Sequence, residues 1–204
     1  MDLAPYQKSI QIFTDIGEAF DDCLTLVDMN EPGRRCIYVN GAFCRTTGYT
    51  REEVVGENLK VLQGAESSQD AVRFMRKTFE ARGSCCVDIM NYRKNGERFL
   101  NRLVMLPFRI HELDFMIGFQ NEIPTPPEYA LEGDGILPVC SGEINHMINS
   151  PLAAILLNLD LQRRMGNDTQ TAIHACRDAF HQINVFCRHI DEPNRFIGYN
   201  PFRS

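Results

Sequence analysis

The stretch GENLKVLQG, residues 56–64, sets Asn58, Lys60 and Gln63 between two glycines and around an inert Leu59. A carboxamide carries both a donor and an acceptor, and a lysine carries a compact positive charge. Such a loop suits a ligand with a phosphate and a hydrogen-bonding ring, while the leucine at its centre offers no nucleophile. A second chemical centre is His146, in the run GEINHMINSPL. An imidazole that titrates near neutrality can serve in chemistry or be a plain surface residue, and both readings stay open. His174 and His181, seven residues apart, lack a third ligand for a metal. The eight cysteines include no C-x-x-C pair, which removes zinc-ribbon and thioredoxin-type chemistry and leaves small buried thiols.

These residues need elements to hold them. In the first segment, 1–19 with Phe20 at its end, Ile10, Phe13, Ile16 and Phe20 recur at helical spacing and predict an amphipathic helical cap. Residues 20–123 then read as an α+β domain. DCLTLVDM and CIYVN are strands, and a helix capped by Thr50 has Glu53 in capping-box position. SSQDAVRFMRKTFEARG is a longer helix closed by Gly83, and three further strands follow, the first two joined by a hairpin at Lys94-Asn95-Gly96. Prolines and glycines make 124–135 a linker. Beyond it, 136–192 predicts two helices, with Ile144, Ile148, Leu152, Ile155 and Leu159 on one stripe and a regular seam from Ile173 to Ile190 on the other, before a tail at 193–204. A hairpin that small buries one face per helix, so it either self-associates into a dimeric four-helix bundle, the preferred reading, or packs back on the first domain.

Composition narrows the classes. Of 204 residues, 44% are apolar and 24% charged, as in a globular chain. The net charge of −6 gathers no basic face, and from residue 129 onward eight acids stand against six arginines and no lysine, which disfavours nucleic acid. No apolar run reaches the length of a membrane helix, and MDLAPYQKSIQIF lacks a basic-then-apolar pattern, so the expectation is a soluble cytoplasmic protein without membrane contact.

Four blocks, IYVNGAFCRTTGYTREEVVG, GENLKVLQG, NYRKNGERFLN and MIGFQNEI, resemble in order and interval the LOV family of PAS domains, the flavin-binding light sensors. The resemblance implies a five-stranded antiparallel sheet with helices around FMN, with FAD as the alternative. By resemblance, Asn91 and Asn101 would read the ring edge, Gln120 would face the ring position protonated on reduction, and Asn58 and Gln63 would hold the polyol chain. Lys60, in place of the family's arginine, and Arg76 would bind the phosphate, with Arg73 assisting. Leu59 stands where the family's cysteine forms a reversible flavin adduct; leucine can pack on the ring but cannot form that bond. What remains open to such a flavin is photoreduction, with Tyr38, Tyr49 or Tyr92 as example donors.

GEINHMINSPLAAILLNLDLQRR resembles the H box of histidine kinases through His146, Ser150, Pro151 and Leu152. Met147 replaces the acid that usually follows the histidine, and 204 residues leave no room for an ATP-binding domain, so the expectation is no kinase activity of its own. The two resemblances imply a homodimeric flavin-based light or redox signalling protein, with a response regulator or a histidine kinase as partner. The alternative is a PAS interaction scaffold with no photochemistry.

Overall fold

The computed structural model of the chain describes Gln11, Thr14, Gly17, Glu18 and residues 21–30, 32–110 and 113–125. Apolar runs bounded by turns become five strands, as the sequence predicts: β1 (Cys23–Asp28), β2 (Cys36–Val39), β3 (Cys85–Tyr92), β4 (Arg98–Ile110) and β5 (Leu113–Ile123). They form one antiparallel sheet in the order β2-β1-β5-β4-β3. Pro107, which has no N–H to donate, lies within β4 but past the end of β3, whose last pair is Cys85 with Met105. Its missing donor therefore falls where β4 has become an edge.

The β3–β4 hairpin closes at Lys94-Asn95-Gly96. Gly96 N–H donates to Arg93 O at 2.9 Å, and Gly96 alone of the three has positive φ, at 87°. This is a turn followed by a left-handed glycine, the form that three-residue hairpin loops favour.

Between β2 and β3 run α1 (Gly41–Thr47), α2 (Arg51–Val54), a single 3-10 turn (Leu59–Leu62) and α3 (Gln69–Ala81). Asn40 starts α1: its Oδ1 accepts from Phe43 N and from Leu24 N, both at 3.0 Å, and its Nδ2 donates to Asp22 O and Gly17 O. One fully buried amide thus ties helix, β1 and the N-terminal segment together. The predicted capping box of α2 is present, Thr50 N donating to Glu53 Oε2 at 2.9 Å.

One helix end differs from the expectation. The left-handed residue closing α3 is Arg82, at φ 49°, one position before Gly83. A non-glycine there costs about 1 kcal/mol. The bond from Arg82 Nε to Asp114 Oδ2 on β5, at 2.5 Å, offsets it.

The helices α1 to α3 and the 3-10 turn cover one face of the sheet. Ala71 and Met75 of α3 join Val27, Val87, Ile89, Met105 and Met116 in one apolar cluster; Phe43, Val54 and Leu62 join Cys23, Cys36 and Val39 in another. Leu59 packs against both. The stripe residues Ile10, Phe13, Ile16 and Phe20, the linker beyond residue 125, the helix pair at 136–192, the tail and the proposed dimer lie outside the described residues. Gln11, Thr14, Gly17 and Glu18 of the predicted cap are helical. No helix among the described residues is long and apolar enough to cross a membrane.

Candidate functional site

Side chains alternate along a strand, so every second residue faces the helices. On that face lie Thr25 and Val27 of β1, Ile89 and Asn91 of β3, Asn101, Leu103 and Met105 of β4, and Met116, Gly118 and Gln120 of β5. All of them line a cavity of about 220 Å³, closed on its other side by the 3-10 turn and by Val72, Met75, Arg76 and Phe79 of α3. Those four helix positions follow a spacing of three, one and three, a single stripe. Gly118 keeps the floor open, because a Cβ there would meet Thr25 Oγ1 at 2.5 Å.

Three carboxamides stand on the sheet wall: Asn91, Asn101 and Gln120, which are 4%, 1% and 5% exposed. Asn101 Nδ2 donates to Asn91 Oδ1 at 2.8 Å and to Gln120 Oε1 at 3.2 Å. Asn101 Oδ1, fully buried, has no donor among the described residues. An unpaired buried acceptor costs about 1–3 kcal/mol, so this wall is chemically incomplete without an N–H from a ligand. Asn91 Nδ2 is held by Met90 O at 3.2 Å, which fixes its orientation.

The solvent-exposed part of the lining is cationic. Lys60 and Arg76 are exposed at its rim, and neither has an ion-pair partner among the described residues. Gln63 lines the cavity with its side-chain amide free of bonds to the described residues. The pattern is thus a carboxamide wall, an apolar middle and a cationic mouth. A ring with a polar pyrimidine edge and a tethered phosphate matches each part in turn.

Two nominated residues behave differently from the rest. Asn58 lines the cavity, but both halves of its amide are engaged: Oδ1 accepts from Lys60 N at 2.9 Å, and Nδ2 donates to Gly33 O at 3.0 Å. It caps the 3-10 turn and fastens the β1–β2 loop to it. Arg73 does not line the cavity; it is exposed and pairs with Asp70, three residues earlier on α3. Lying one residue after Val72, it points well off the cavity stripe.

Tyr38, Tyr49 and Tyr92 likewise lie outside the cavity lining. The Tyr38 hydroxyl donates to Glu18 Oε1 at 2.7 Å, and the Tyr92 hydroxyl accepts from Glu66 N at 3.0 Å. None of the five described thiols lines the cavity either. Burial raises the Cys36 thiol to about 12 and also raises Cys23 and Cys44, so none of these three is poised as a thiolate. Sequence reasoning missed Arg34, Thr25, Phe79 and the thioether trio Met75, Met105 and Met116. Strand alternation and the α3 stripe were enough to find all of them except Arg34, which sits in a loop.

A five-stranded antiparallel sheet with short helices over one face, and a ligand-sized cavity between them, is the architecture of a PAS-type sensor domain. The chain belongs to this family: the family described as PAS domain matches residues 21–123. Its similarities within the family are to light-responsive members. It is 33% identical over 143 residues to Blue-light-activated histidine kinase 2 of Erythrobacter litoralis, covering 68% of this chain and 40% of that protein. It is 32% identical over 108 residues to the blue-light photoreceptor of Listeria innocua, covering 52% of this chain and 43% of that one. The chain thus spans less than half the length of either relative. Among solved structures, the LOV domain of an Erythrobacter litoralis blue-light activated histidine kinase superposes with a TM-score of 0.50 at 33% identity, over 52% of this chain and 99% of that domain.

Proposed function

We propose that this chain is a cytoplasmic flavin-binding signalling protein that responds to blue light or redox state without a covalent bond at position 59. The observation that carries the reading is the buried carboxamide wall whose Asn101 Oδ1 lacks a donor among the described residues. FMN, or FAD in its place, supplies a ring that absorbs blue light and takes up electrons and protons. Asn101 Oδ1 would accept the ring-edge N–H, with Asn91, held by Met90 O, beside it. Gln63, Lys60 and Arg76 would hold the polyol and phosphate. Leu59 closes the cavity as an apolar contact and excludes water there.

Gln120 is the reporting residue. Its Oε1 accepts from Asn101 Nδ2; a half-turn of the Gln120 amide would set its own NH₂ against another NH₂ and break that bond. Gln120 pairs with Cys23 on β1 and Leu103 on β4, so the change is delivered to three strands at once. Asn121, Glu122 and Ile123 then carry β5 towards residues 126–204.

The output we propose is a homodimeric, kinase-like helix pair with His146 as phosphoryl acceptor, docking a response regulator or a histidine kinase and turning over no substrate of its own. Its support is the H-box resemblance of GEINHMINSPLAAILLNLDLQRR, beside the similarity to a blue-light-activated histidine kinase. Incubation with a phosphorylated response regulator is expected to label the protein and not its His146→Ala variant; equal labelling of both removes the acceptor role.

Cofactor binding has a direct thermodynamic readout. Added FMN is expected to raise the thermal midpoint, since a ligand at a hundred times its Kd stabilises by about 2.7 kcal/mol. A midpoint indifferent to FMN and FAD would leave a PAS interaction scaffold as the function.

A further inference from the structure

The cationic mouth has a third member that the family pattern does not supply. From the placement of Arg34 we infer that it is a phosphate-binding residue which, with Lys60 and Arg76, makes the cavity select a phosphorylated flavin over riboflavin. This rests on the flavin reading above and adds to it a residue and a preference.

Arg34 lies in the β1–β2 loop yet lines the same cavity as Lys60 and Arg76. The loop is fastened to the segment that carries Lys60. Asn58 Nδ2 donates to Gly33 O at 3.0 Å, Cys36 N to Glu57 O at 2.8 Å, Gly56 N to Cys36 O at 2.7 Å and Arg35 Nη1 to Gly56 O at 3.0 Å. Both amide functions of Asn58 are spent on this fastening and on the 3-10 turn, which gives the residue its purpose.

The backbone at Arg34 is left-handed, φ 48°, a conformation that glycine takes without strain. A bulky residue there needs a compensating role. Its guanidinium stacks 5.3 Å from the centroid of Phe79 on α3, which holds it over the cavity. Among the described residues its ion-pair partner is Glu80, 3.6 Å away and 58% exposed, a pair too solvated to compete with a doubly charged phosphate. A guanidinium also supplies the two-pronged donor that Lys60, in an arginine's place, cannot.

The left-handed φ provides a clean variant, because Arg34→Gly removes the cation while relieving backbone strain. Affinities for FMN and for riboflavin are measured by quenching of flavin fluorescence on the whole chain, its Arg34→Gly and Arg34→Lys variants, and Arg73→Ala as a control outside the cavity. FMN binding is expected to weaken about tenfold or more in Arg34→Gly, to recover in part in Arg34→Lys and to stay unchanged in Arg73→Ala, with riboflavin binding equal throughout. Equal weakening of FMN and riboflavin, or no weakening of either, overturns the role of Arg34 and leaves the flavin reading standing. If the unaltered chain binds neither flavin, both readings fail together.

Discussion

Leu59→Cys is expected to add a second photoreaction to the proposed flavin chemistry: blue light should bleach the band of bound flavin without added reductant, and the band should return in the dark without oxygen. Position 59 opens the 3-10 turn, lines the cavity and touches both apolar clusters, so a thiol there starts at the cavity wall. The substitution removes part of a half-buried side chain, which costs about 1 kcal/mol and spares the fold. The turn itself depends on Asn58 accepting from Lys60 N, a contact that position 59 does not make. The check is difference absorption on the variant and the unaltered protein side by side. A variant that binds flavin but bleaches no differently from the leucine form would show that the turn does not present position 59 to the ring.

The second large effect concerns Asn101. Asn101→Leu is expected to weaken FMN binding ten- to a hundredfold, from the loss of one buried hydrogen bond worth about 1–3 kcal/mol together with the order it imposes on its neighbours. Asn101 Nδ2 joins Asn91 to Gln120, so the variant also frees both amides and should abolish any light-dependent change that runs through Gln120. Riboflavin should suffer as much as FMN, because in the proposed binding mode this wall meets the ring and the cations meet the phosphate. That contrast separates the two parts of the cavity in one titration series. Undiminished FMN affinity in Asn101→Leu would remove the carboxamide wall from the binding site.

Much of this was legible in the sequence, for identifiable reasons. Asn91, Asn101 and Gln120 were legible through the LOV resemblance, and strand alternation gives the physical reason they share one wall. Lys94-Asn95-Gly96 carries its own turn chemistry, and Thr50 and Glu53 carry theirs. What was not legible depends on contacts between distant residues. Gly83 looked like the end of α3, but Asp114, 32 positions further on, stabilises Arg82 in the left-handed turn. Asn58 looked like a ligand contact, yet Gly33 O, 25 positions away, takes its donor. Arg34 was hidden because nothing local says where a loop of the β1–β2 kind will lie. Arg73 was misjudged by one residue of helical rotation, enough to turn it from the cavity to Asp70.

The account turns on one measurement, the absorption spectrum of the purified chain in the dark and after blue light, with a mild reductant and without oxygen. It predicts a dark flavin spectrum that illumination converts to the reduced, protonated cofactor, with recovery only when oxygen is admitted. Absence of a flavin spectrum from protein supplied with FMN, or a flavin spectrum that light and reductant leave unchanged, would contradict it.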